Sequence, residues 1–296
     1  MDTNDKTRRL LDELAKCTGI VFEVAPQQKM DPEKLNTALE DLLAPYRKGY
    51  DLSDFWLSFL NNTISGEEVE EGWRRFQLKD ETEALLYLLY FPHGYGEEVE
   101  AILRDLSGEG AWLLEPDDLH LILLKTPRQP YSGERLREEA GTIADTIAAE
   151  AMVKVAVSYD EVVKTLSGLP DSLKKAQFAE DCGRSFYPGE RVYSYHELGL
   201  GKLVGKLSRE DCLEYLEDHL GNFRFDSMDR ELSVTVQSFF EEGLSIARTS
   251  RRLYVHRNTL VYRLDKFEKL SGLDLRRFDD AVVARLAMLM EIYVRR

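Results

Sequence analysis

The chain has 296 residues and a formal net charge of −15, with 43% hydrophobic and 31% charged residues. This length exceeds the roughly 250 residues at which single hydrophobic cores stop growing, so we expect two or three domains. The composition is typical of a folded globular protein and excludes an intrinsically disordered chain. No apolar run approaches the ~18 residues that span a bilayer, and the first residues lack the apolar core of a signal peptide, so we predict a cytoplasmic protein without a membrane partner.

The three cysteines, Cys17, Cys182 and Cys212, lie far apart in the sequence. Their odd number and wide spacing match neither a disulfide framework nor a CxxC metal or redox pair. We therefore expect reduced thiols that act as packing residues.

Helical spacing of apolar residues predicts three helices within the first 78 residues, over 32–45, 52–61 and 65–77. Asp31 followed by Pro32 is a typical start for the first of these helices. Ser65 with Glu68 forms a capping box for the third. The stretch 19–24 has the composition of a short strand.

From about residue 83, short apolar runs alternate with helical patterns. The runs predict strands over 85–90, 112–115, 119–125, 153–157 and 191–195. We expect the second and third strands to form a hairpin across Pro116-Asp117-Asp118, which are turn-forming residues. The order β-α-β-β-α-β-α-α-β predicts an α+β domain with this antiparallel hairpin at its centre.

The intervening segments have the periodicity of amphipathic helices. This periodicity predicts helices over 97–106, 134–149, 171–182 and 209–220. A Ser158/Glu161 capping box predicts one further helix after the fourth strand. Gly183 is expected to stop the helix that precedes it, because glycine commonly ends helices.

Residues 232–296 are predicted to be helical throughout. Within them, 246–253 forms one short helix, Tyr254-Val255 a turn, and 256–270 a second helix of about 15 residues. A short helix, a tight turn and a longer helix are together typical of a helix-turn-helix unit.

Positive charge is concentrated between Ser245 and Arg277. This segment contains nine Lys or Arg against three Asp or Glu, a net charge of +6, so the rest of the chain carries −21. Attraction to phosphate requires such local positive potential. The segment is therefore a candidate contact surface for nucleic acid, although the whole protein is acidic.

On a helical wheel at about 100° per residue, Leu260, Leu264 and Phe267 face one side, which we expect to pack inward. The opposite side carries residues of base-reading type, because an α-helix fits the major groove, where Arg pairs with guanine and Asn with adenine. A solvated amphipathic helix without a partner is the alternative, and the coincidence with the helix-turn-helix pattern favours DNA. The predicted DNA-binding residues are Arg248, Arg251, Arg252, His256, Arg257, Asn258, Thr259, Tyr262, Arg263 and Lys266.

The run VHRNTLVYRL at 255–264, followed by LSGLDL, is the most specific part of a longer similarity over 232–290. This stretch resembles the C-terminal helix-turn-helix domain of the PucR/CdaR regulators, bacterial transcription factors named for purine-catabolism and sugar-diacid control. His256, Arg257, Asn258, Thr259 and Arg263 match the recognition-helix positions of that family, and Leu253, Leu260 and Leu264 match its packing positions. Ser250 stands where the family usually carries alanine, and we expect this small residue to preserve the helix crossing.

The middle of the chain, especially 158–186 and 191–207, resembles the GGDEF-like module of the same family. Diguanylate cyclases carry glycines and acidic metal ligands in the central hairpin, whereas the hairpin here is LLEPDDLHLIL and the first strand ends in FPHGY. Asp117 and Asp118 could bind magnesium through their carboxylates, but we interpret them as turn residues. The resemblance therefore implies a catalytically degenerate module.

Other sequence features give no catalytic set. His120, His196 and His219 lack metal-ligand spacing, and the lone GxG of 93–96 is weak evidence for phosphate binding. Residues 243–247 lack the final glycine of a nucleophile elbow and are predicted to form a turn. We expect no catalytic residues, no metal and no cofactor.

These observations predict an α+β multidomain protein. Its expected parts are a mainly helical N-terminal region (1–78), a degenerate GGDEF-like α/β sandwich for sensing or dimerisation (79–207), a linker helix (208–230) and an all-α helix-turn-helix domain (231–296). The resemblance implies a transcription regulator that binds promoter DNA, answers to an unknown small-molecule effector and activates a catabolic operon. We expect a homodimer or higher oligomer, because such proteins usually bind paired half-sites. A nucleotide-cyclase-like signalling enzyme and a ligand-binding scaffold without DNA binding are the alternatives.

Overall fold

A computed structural model of the chain describes residues 51–295 except 109 and 128–130, together with 7, 10, 11, 34–39 and 42. Residues 34–39 and 42 are helical, as the pattern of the first predicted helix requires. The strand predicted at 19–24 and Cys17 lie outside the described residues. The described chain combines helices with a single five-stranded sheet, which confirms the α+β fold class.

The helices and strands of the described range have the following bounds, with each type given in chain order. The helices are α1 (Leu52–Leu60), α2 (Gly66–Arg75), α3 (Glu97–Ser107), α4 (Gly133–Glu150), α5 (Leu169–Phe186), α6 (Leu200–Val204), α7 (Arg209–Leu220), α8 (Arg230–Glu241), α9 (Ile246–Arg252), α10 (Arg257–Ser271) and α11 (Phe278–Val294). The strands are β1 (Leu85–Tyr90), β2 (Ala111–Asp117), β3 (His120–Lys125), β4 (Ala156–Tyr159) and β5 (Val192–Ser194). Short 3-10 turns precede α5 and α8.

The sheet has the strand order β2-β3-β1-β4-β5, and only the β4–β5 pair is parallel. β1 lies at its centre, where Leu88 pairs with Ile122 of β3 on one side and Ser158 of β4 on the other. A central strand covered on both faces is expected to be apolar along its whole length, which explains the sequence LLYLLY. Alternation sends Tyr87 and Leu89 into a core with residues of α3 and α4, and Leu86 and Leu88 into a core with residues of α1 and α5.

The predicted hairpin of β2 and β3 is confirmed, but its turn lies later than expected. Asp117 is the last residue of β2, and Asp118-Leu119 form the turn. The Asp117 carboxylate accepts a hydrogen bond from the Leu119 backbone N–H at 2.8 Å, a side-chain contact that stabilises a tight turn at this point.

The helix predicted to begin at a Ser158/Glu161 capping box is wrong. Ser158 lies inside β4, fully buried, and its hydroxyl donates to the Leu88 carbonyl at 3.3 Å. Pairing with β1 therefore overrides the local capping pattern, and β4 is displaced from the predicted 153–157 to Ala156–Tyr159.

The helix stop predicted at Gly183 is also wrong, because α5 continues through it to Phe186. A Cβ atom on Gly183 would lie 2.3 Å from the ring of Tyr193 in β5, so glycine is needed for the close approach of strand and helix. A single helix thus joins β4 and β5, and the order is β-α-β-β-α-β-α-β.

A third buried cluster joins the sheet-bearing part to the C-terminal helices. It contains Ala179, Cys182 and Phe186 of α5 together with residues of α7 to α11 such as Leu216 and Leu264. Cys182 and Cys212 are both buried in this cluster, as expected of packing residues. Among the residues described, no helix combines the length and apolar character that a membrane span requires.

Candidate nucleic-acid interface

The helix-turn-helix unit predicted from the sequence is confirmed as α9, a tight turn and α10. Ser245 caps α9 by accepting from the Arg248 backbone N–H at 3.4 Å. In the turn, Tyr254 adopts a left-handed conformation with φ of 53°, and the Val255 N–H donates to the Ser250 carbonyl at 3.0 Å. The side chain of Tyr254 is 96% exposed, so this turn projects an aromatic ring into solvent.

His256 caps the N-terminus of α10. Its Nδ1 atom accepts a hydrogen bond from the Asn258 backbone N–H at 3.2 Å. Because a backbone N–H can only donate, Nδ1 must be unprotonated, and the neutral ring carries its hydrogen on Nε2. The exposed imidazole thus offers a donor to a partner outside the chain.

The inward face of α10 packs as the helical wheel predicts. Leu260, Leu264 and Phe267 are at most 1% exposed. Ser250 is tolerated at the helix crossing because its hydroxyl donates to the Ala247 carbonyl at 3.3 Å within α9. The inward face of α10 thus lies in the buried cluster, while the opposite edge is exposed.

Several of the predicted DNA-binding cations are bound to carboxylates of the same domain. Arg263 is 17% exposed in its side chain, and it donates to Glu231 Oε1 at 2.9 Å and to the hydroxyl of buried Thr235 at 3.2 Å. Lys266 donates to Asp229 Oδ2 at 2.5 Å. This bond raises the pKa of Lys266 and lowers the pKa of Asp229. Both cations thus fasten α10 to the first turn of α8.

Two cations of α9 are bound at the other end of α8. Arg252 forms ion pairs with Glu241 at 2.5 Å and Glu242 at 3.0 Å, and the bond to Glu242 raises the pKa of the guanidinium. Arg248 donates from Nη2 to the Glu242 backbone carbonyl at 2.5 Å, which satisfies an acceptor at the end of that helix. Arg248 and Arg252 thus bind the C-terminal end of α8.

The remaining predicted residues form an outward edge, which we call the open edge: Arg251, Arg257, Asn258, Thr259 and Tyr262. Within the part of the chain that the structure describes, the last four make no side-chain hydrogen bond or ion pair. Arg251 donates only to the Ala247 carbonyl, at 3.1 Å, and is bound to no carboxylate there. Tyr262 is 69% exposed. His256 and Tyr254 lie at the N-terminal end of this edge.

The sequence analysis named every residue of the open edge but did not include Tyr254 in the predicted surface. An aromatic residue in a two-residue turn could have indicated that its ring is exposed beside this edge. It also overestimated the positive charge of the surface. The carboxylates that bind Arg252, Arg263 and Lys266 come from α8 and its two caps, outside the segment in which the charge was counted. Uncompensated positive charge is therefore confined to a smaller area than the net +6 implies.

The middle part of the chain offers no metal centre within the described ranges 51–108, 110–127 and 131–295. The Asp117 carboxylate is bonded to Leu119 N–H and to His120 Nδ1, as a turn residue would be. His196 contacts Asp160 at 2.9 Å, and His219 contacts the Tyr215 carbonyl at 3.0 Å. These histidines are thus engaged separately and do not converge on one point.

Comparison with known proteins agrees with this geometry. A family model of the PucR C-terminal helix-turn-helix domain matches residues 232–290. The chain is 28% identical over 146 residues to the purine catabolism regulatory protein of Bacillus subtilis, covering 49% of this chain and 28% of that protein. It is 30% identical over 120 residues to the carbohydrate diacid regulator of Escherichia coli, covering 40% of this chain and 31% of that protein.

A longer similarity extends beyond the C-terminal domain. The chain is 30% identical over 242 residues to an uncharacterised protein of Haemophilus influenzae, covering 80% of this chain and 64% of that protein. The matches to the two regulators span less than a third of those proteins' own lengths. Residues 232–290 thus form a helix-turn-helix domain of the PucR C-terminal type, and part of the chain is similar to both regulators.

Proposed function

We propose that this protein is a transcription regulator that binds double-stranded promoter DNA through α10. The observation that carries the proposal is the open edge, where the side chains of Arg257, Asn258 and Thr259 lie in the first turn of α10 and make no hydrogen bond or ion pair within the described chain. The N-terminal part of a recognition helix is the part that contacts base edges in the major groove. Groups left without partners there are available to pair with bases.

Within this proposal the predicted residues divide into three roles. Arg257, Asn258, Thr259 and Tyr262 read bases, and Arg251 and the His256 Nε2–H contact phosphate. Arg248, Arg252, Arg263 and Lys266 primarily hold α8 against α9 and α10, since they already bind groups of α8 or of its two caps. They contact DNA only at the edge of the footprint, where a phosphate can share a cation with a carboxylate.

The strong negative charge of the remaining chain indicates that DNA can approach the protein only at the basic segment. DNA is repelled by acidic surfaces and attracted only where positive potential is exposed. We therefore propose one DNA-facing surface per subunit and a homodimer or higher oligomer that reads paired half-sites, because one helix-turn-helix buries little surface. Light scattering at micromolar concentration, with and without DNA, tests the oligomeric state, and a monomer in both conditions contradicts it.

Two relatives named as regulators of purine catabolism and of carbohydrate diacids support a role in controlling a catabolic operon in answer to a small molecule. We propose activation of such an operon, in the cytoplasm, without enzymatic activity. The hairpin of β2 and β3, in which Asp117 is bonded to Leu119 and His120, supports the absence of nucleotide cyclisation. Incubation with GTP or ATP and Mg²⁺ or Mn²⁺ should yield no cyclic product.

A footprint on the DNA upstream of the protein's own gene tests this function. We expect protection of a discrete stretch that weakens as salt is raised, because phosphate contacts release counterions. Arg257→Gln should abolish protection at concentrations that suffice for the parent protein. The matched control is Lys154→Gln, which removes one exposed positive charge far from the open edge in the sequence. Equal protection by both variants, or no protection by the parent, contradicts the proposal.

A further inference from the structure

Tyr254 follows the end of α9 and occupies a position at which helices commonly carry glycine. Its backbone N–H donates to the Arg251 carbonyl at 3.2 Å, and the next N–H, that of Val255, donates to the Ser250 carbonyl at 3.0 Å. These two bonds form a Schellman motif, in which the residue at the position of Tyr254 adopts a left-handed conformation. The φ of 53° at Tyr254 agrees with this motif.

A left-handed conformation costs free energy for a residue with a Cβ atom, and glycine avoids this cost. Three other helices of the chain, α3, α7 and α10, are followed by a glycine with positive φ: Gly108, Gly221 and Gly272. Five non-glycine residues have positive φ in the ranges that the structure describes, and Tyr254 is the only aromatic residue among them. Unfavourable backbone conformations of this kind cluster at functional sites.

The side chain of Tyr254 contributes little to the fold. It is 96% exposed, and its hydroxyl makes no hydrogen bond to any residue that the structure describes. Leu253 and Val255, on either side of it in the sequence, pack against the buried cluster shared by α7 to α11. The turn is therefore anchored at both neighbours of Tyr254, while the ring between them lies in solvent.

Exposed cations flank Tyr254 in the sequence. Arg251 precedes it by three residues and Arg257 follows it by three, and neither is bound to a carboxylate in the described part of the chain. Exposed guanidinium groups attract phosphate. In a helix-turn-helix unit the first helix crosses the DNA backbone and the second enters the major groove. The turn that joins them thus lies beside the sugar–phosphate backbone at the border of the groove.

We propose that Tyr254 contacts the backbone of the DNA bound by α10, with its hydroxyl donating to a phosphate oxygen and its ring lying against a deoxyribose. Tyrosine is among the side chains that hydrogen-bond to phosphate, and such contacts carry no sequence information. A phenol keeps its proton near neutral pH, so this contact neutralises no phosphate and releases no counterion. The inference rests on the function proposed above for α10.

Fluorescence anisotropy titrations of the full chain, with the footprinted operator and with a random duplex at several salt concentrations, test this contact. Tyr254→Phe should weaken binding to both duplexes by about tenfold, without a change in the salt slope, because it removes one hydrogen bond to a charged group. Tyr254→Gly also removes the ring and should weaken both by about a further threefold.

The matched control is Met152→Gly. Met152 follows α4, far from the helix-turn-helix unit in the sequence, and it is 88% exposed with a φ of 56°. This substitution should leave DNA affinity unchanged. Both glycine variants should melt at or above the temperature of the parent protein, because each relieves a left-handed residue and removes few contacts.

Unchanged affinity of Tyr254→Phe and Tyr254→Gly for both duplexes overturns the contact and leaves the function of α10 intact. A loss confined to the operator also overturns it, because a backbone contact weakens binding to both duplexes. A Tyr254→Gly protein that melts well below the parent shows instead that the ring supports the fold. A parent protein that binds neither duplex contradicts the proposed function itself, so the two failures are distinguishable.

Discussion

The Arg263 guanidinium of α10 lies 2.9 Å from Glu231 Oε1 in the first turn of α8. The sequence assigns Arg263 to DNA contact. Its side chain is nevertheless only 17% exposed, compared with 43% for Lys266, the other cation of α10 that is bound at this end of α8. The contact makes Arg263 part of the scaffold that orients the open edge. A charged side chain on a recognition helix can therefore stabilise the domain instead of contacting DNA.

Replacement of Arg263 should for this reason affect folding, whereas replacement of Arg257 should not. We expect Arg263→Ala to lower the free energy of unfolding by about 1–2 kcal/mol, since it removes an ion pair and leaves the buried Thr235 hydroxyl without this donor. Arg257→Ala should stay within about 0.5 kcal/mol of the parent. Urea unfolding monitored by circular dichroism measures both, and equal effects of the two substitutions would show that Arg263 has no scaffold role.

Leu264 tests the core of the helix-turn-helix unit. It is 1% exposed, so Leu264→Ala should create a cavity and lower the free energy of unfolding by roughly 2–5 kcal/mol. DNA binding should be lost only when the domain unfolds. A variant that is stable to heat but does not bind DNA would assign Leu264 a direct contact, contrary to its burial.

Two substitutions of His256 can separate its role as the N-cap of α10 from its proposed contact with DNA. His256→Asn keeps a side-chain acceptor for the Asn258 backbone N–H and should retain stability, whereas His256→Ala should cost about 1 kcal/mol. Both remove the outward Nε2–H, so both should weaken DNA binding to a similar degree. Thermal melts and DNA titrations of the pair decide this, and identical melting curves would mean that the cap contributes nothing.

The His120 network should make stability depend on pH in a defined direction. Its contact with Glu180 raises the pKa of His120 above the ordinary 6.5, so the stabilisation is fully present below the unfolded-state pKa and is lost as pH rises through the folded-state value. His120→Gln should therefore destabilise the protein more at about pH 6 than at about pH 9. Urea unfolding at the two pH values measures this difference, and a larger effect at the alkaline pH would contradict the assignment.

The stability of the protein at acidic pH should depend on Asp117. Burial opposes ionisation of this carboxyl, but hydrogen bonds from Leu119 and His120 outweigh it and lower its pKa. Its contribution is present above the unfolded-state pKa and is lost as pH falls through the lower folded-state value. Asp117→Asn should consequently reduce, but not abolish, the His120 effect at about pH 6, because the contact with Glu180 remains. Urea unfolding of the single and double variants measures this, and complete loss of the effect would contradict the role of Glu180.

Much of the fold follows from short-range signals in the sequence. The capping box of Ser65 and Glu68 forms as predicted, with Glu68 Oε2 accepting from the Ser65 N–H at 2.7 Å. The hairpin of β2 and β3 and the core residues of α10 are also predicted, because alternation and helical period are properties of a few adjacent residues. The recognition-helix edge follows from the same period.

The errors arise where distant residues decide. Ser158 and Glu161 carry a helix-start pattern, but β1 draws Ser158 into the sheet. Gly183 looks like a helix stop until Tyr193 is placed against it. The charge count between 245 and 277 cannot anticipate that the carboxylates of Asp229 and Glu231 fold onto the segment from outside it. None of these contacts can be read from a local window.

The most direct test of DNA reading by α10 is the affinity of Asn258→Ala for the footprinted operator and for random DNA at several salt concentrations. With an exposed side chain in the first turn of α10, Asn258 should contribute roughly 1–3 kcal/mol on the operator alone, with relaxed preference at one base pair. Arg251→Ala should instead weaken binding to both DNAs about equally and reduce the salt slope by about one unit. A folded Asn258→Ala protein that binds the operator with unchanged affinity and specificity would contradict base reading by this helix.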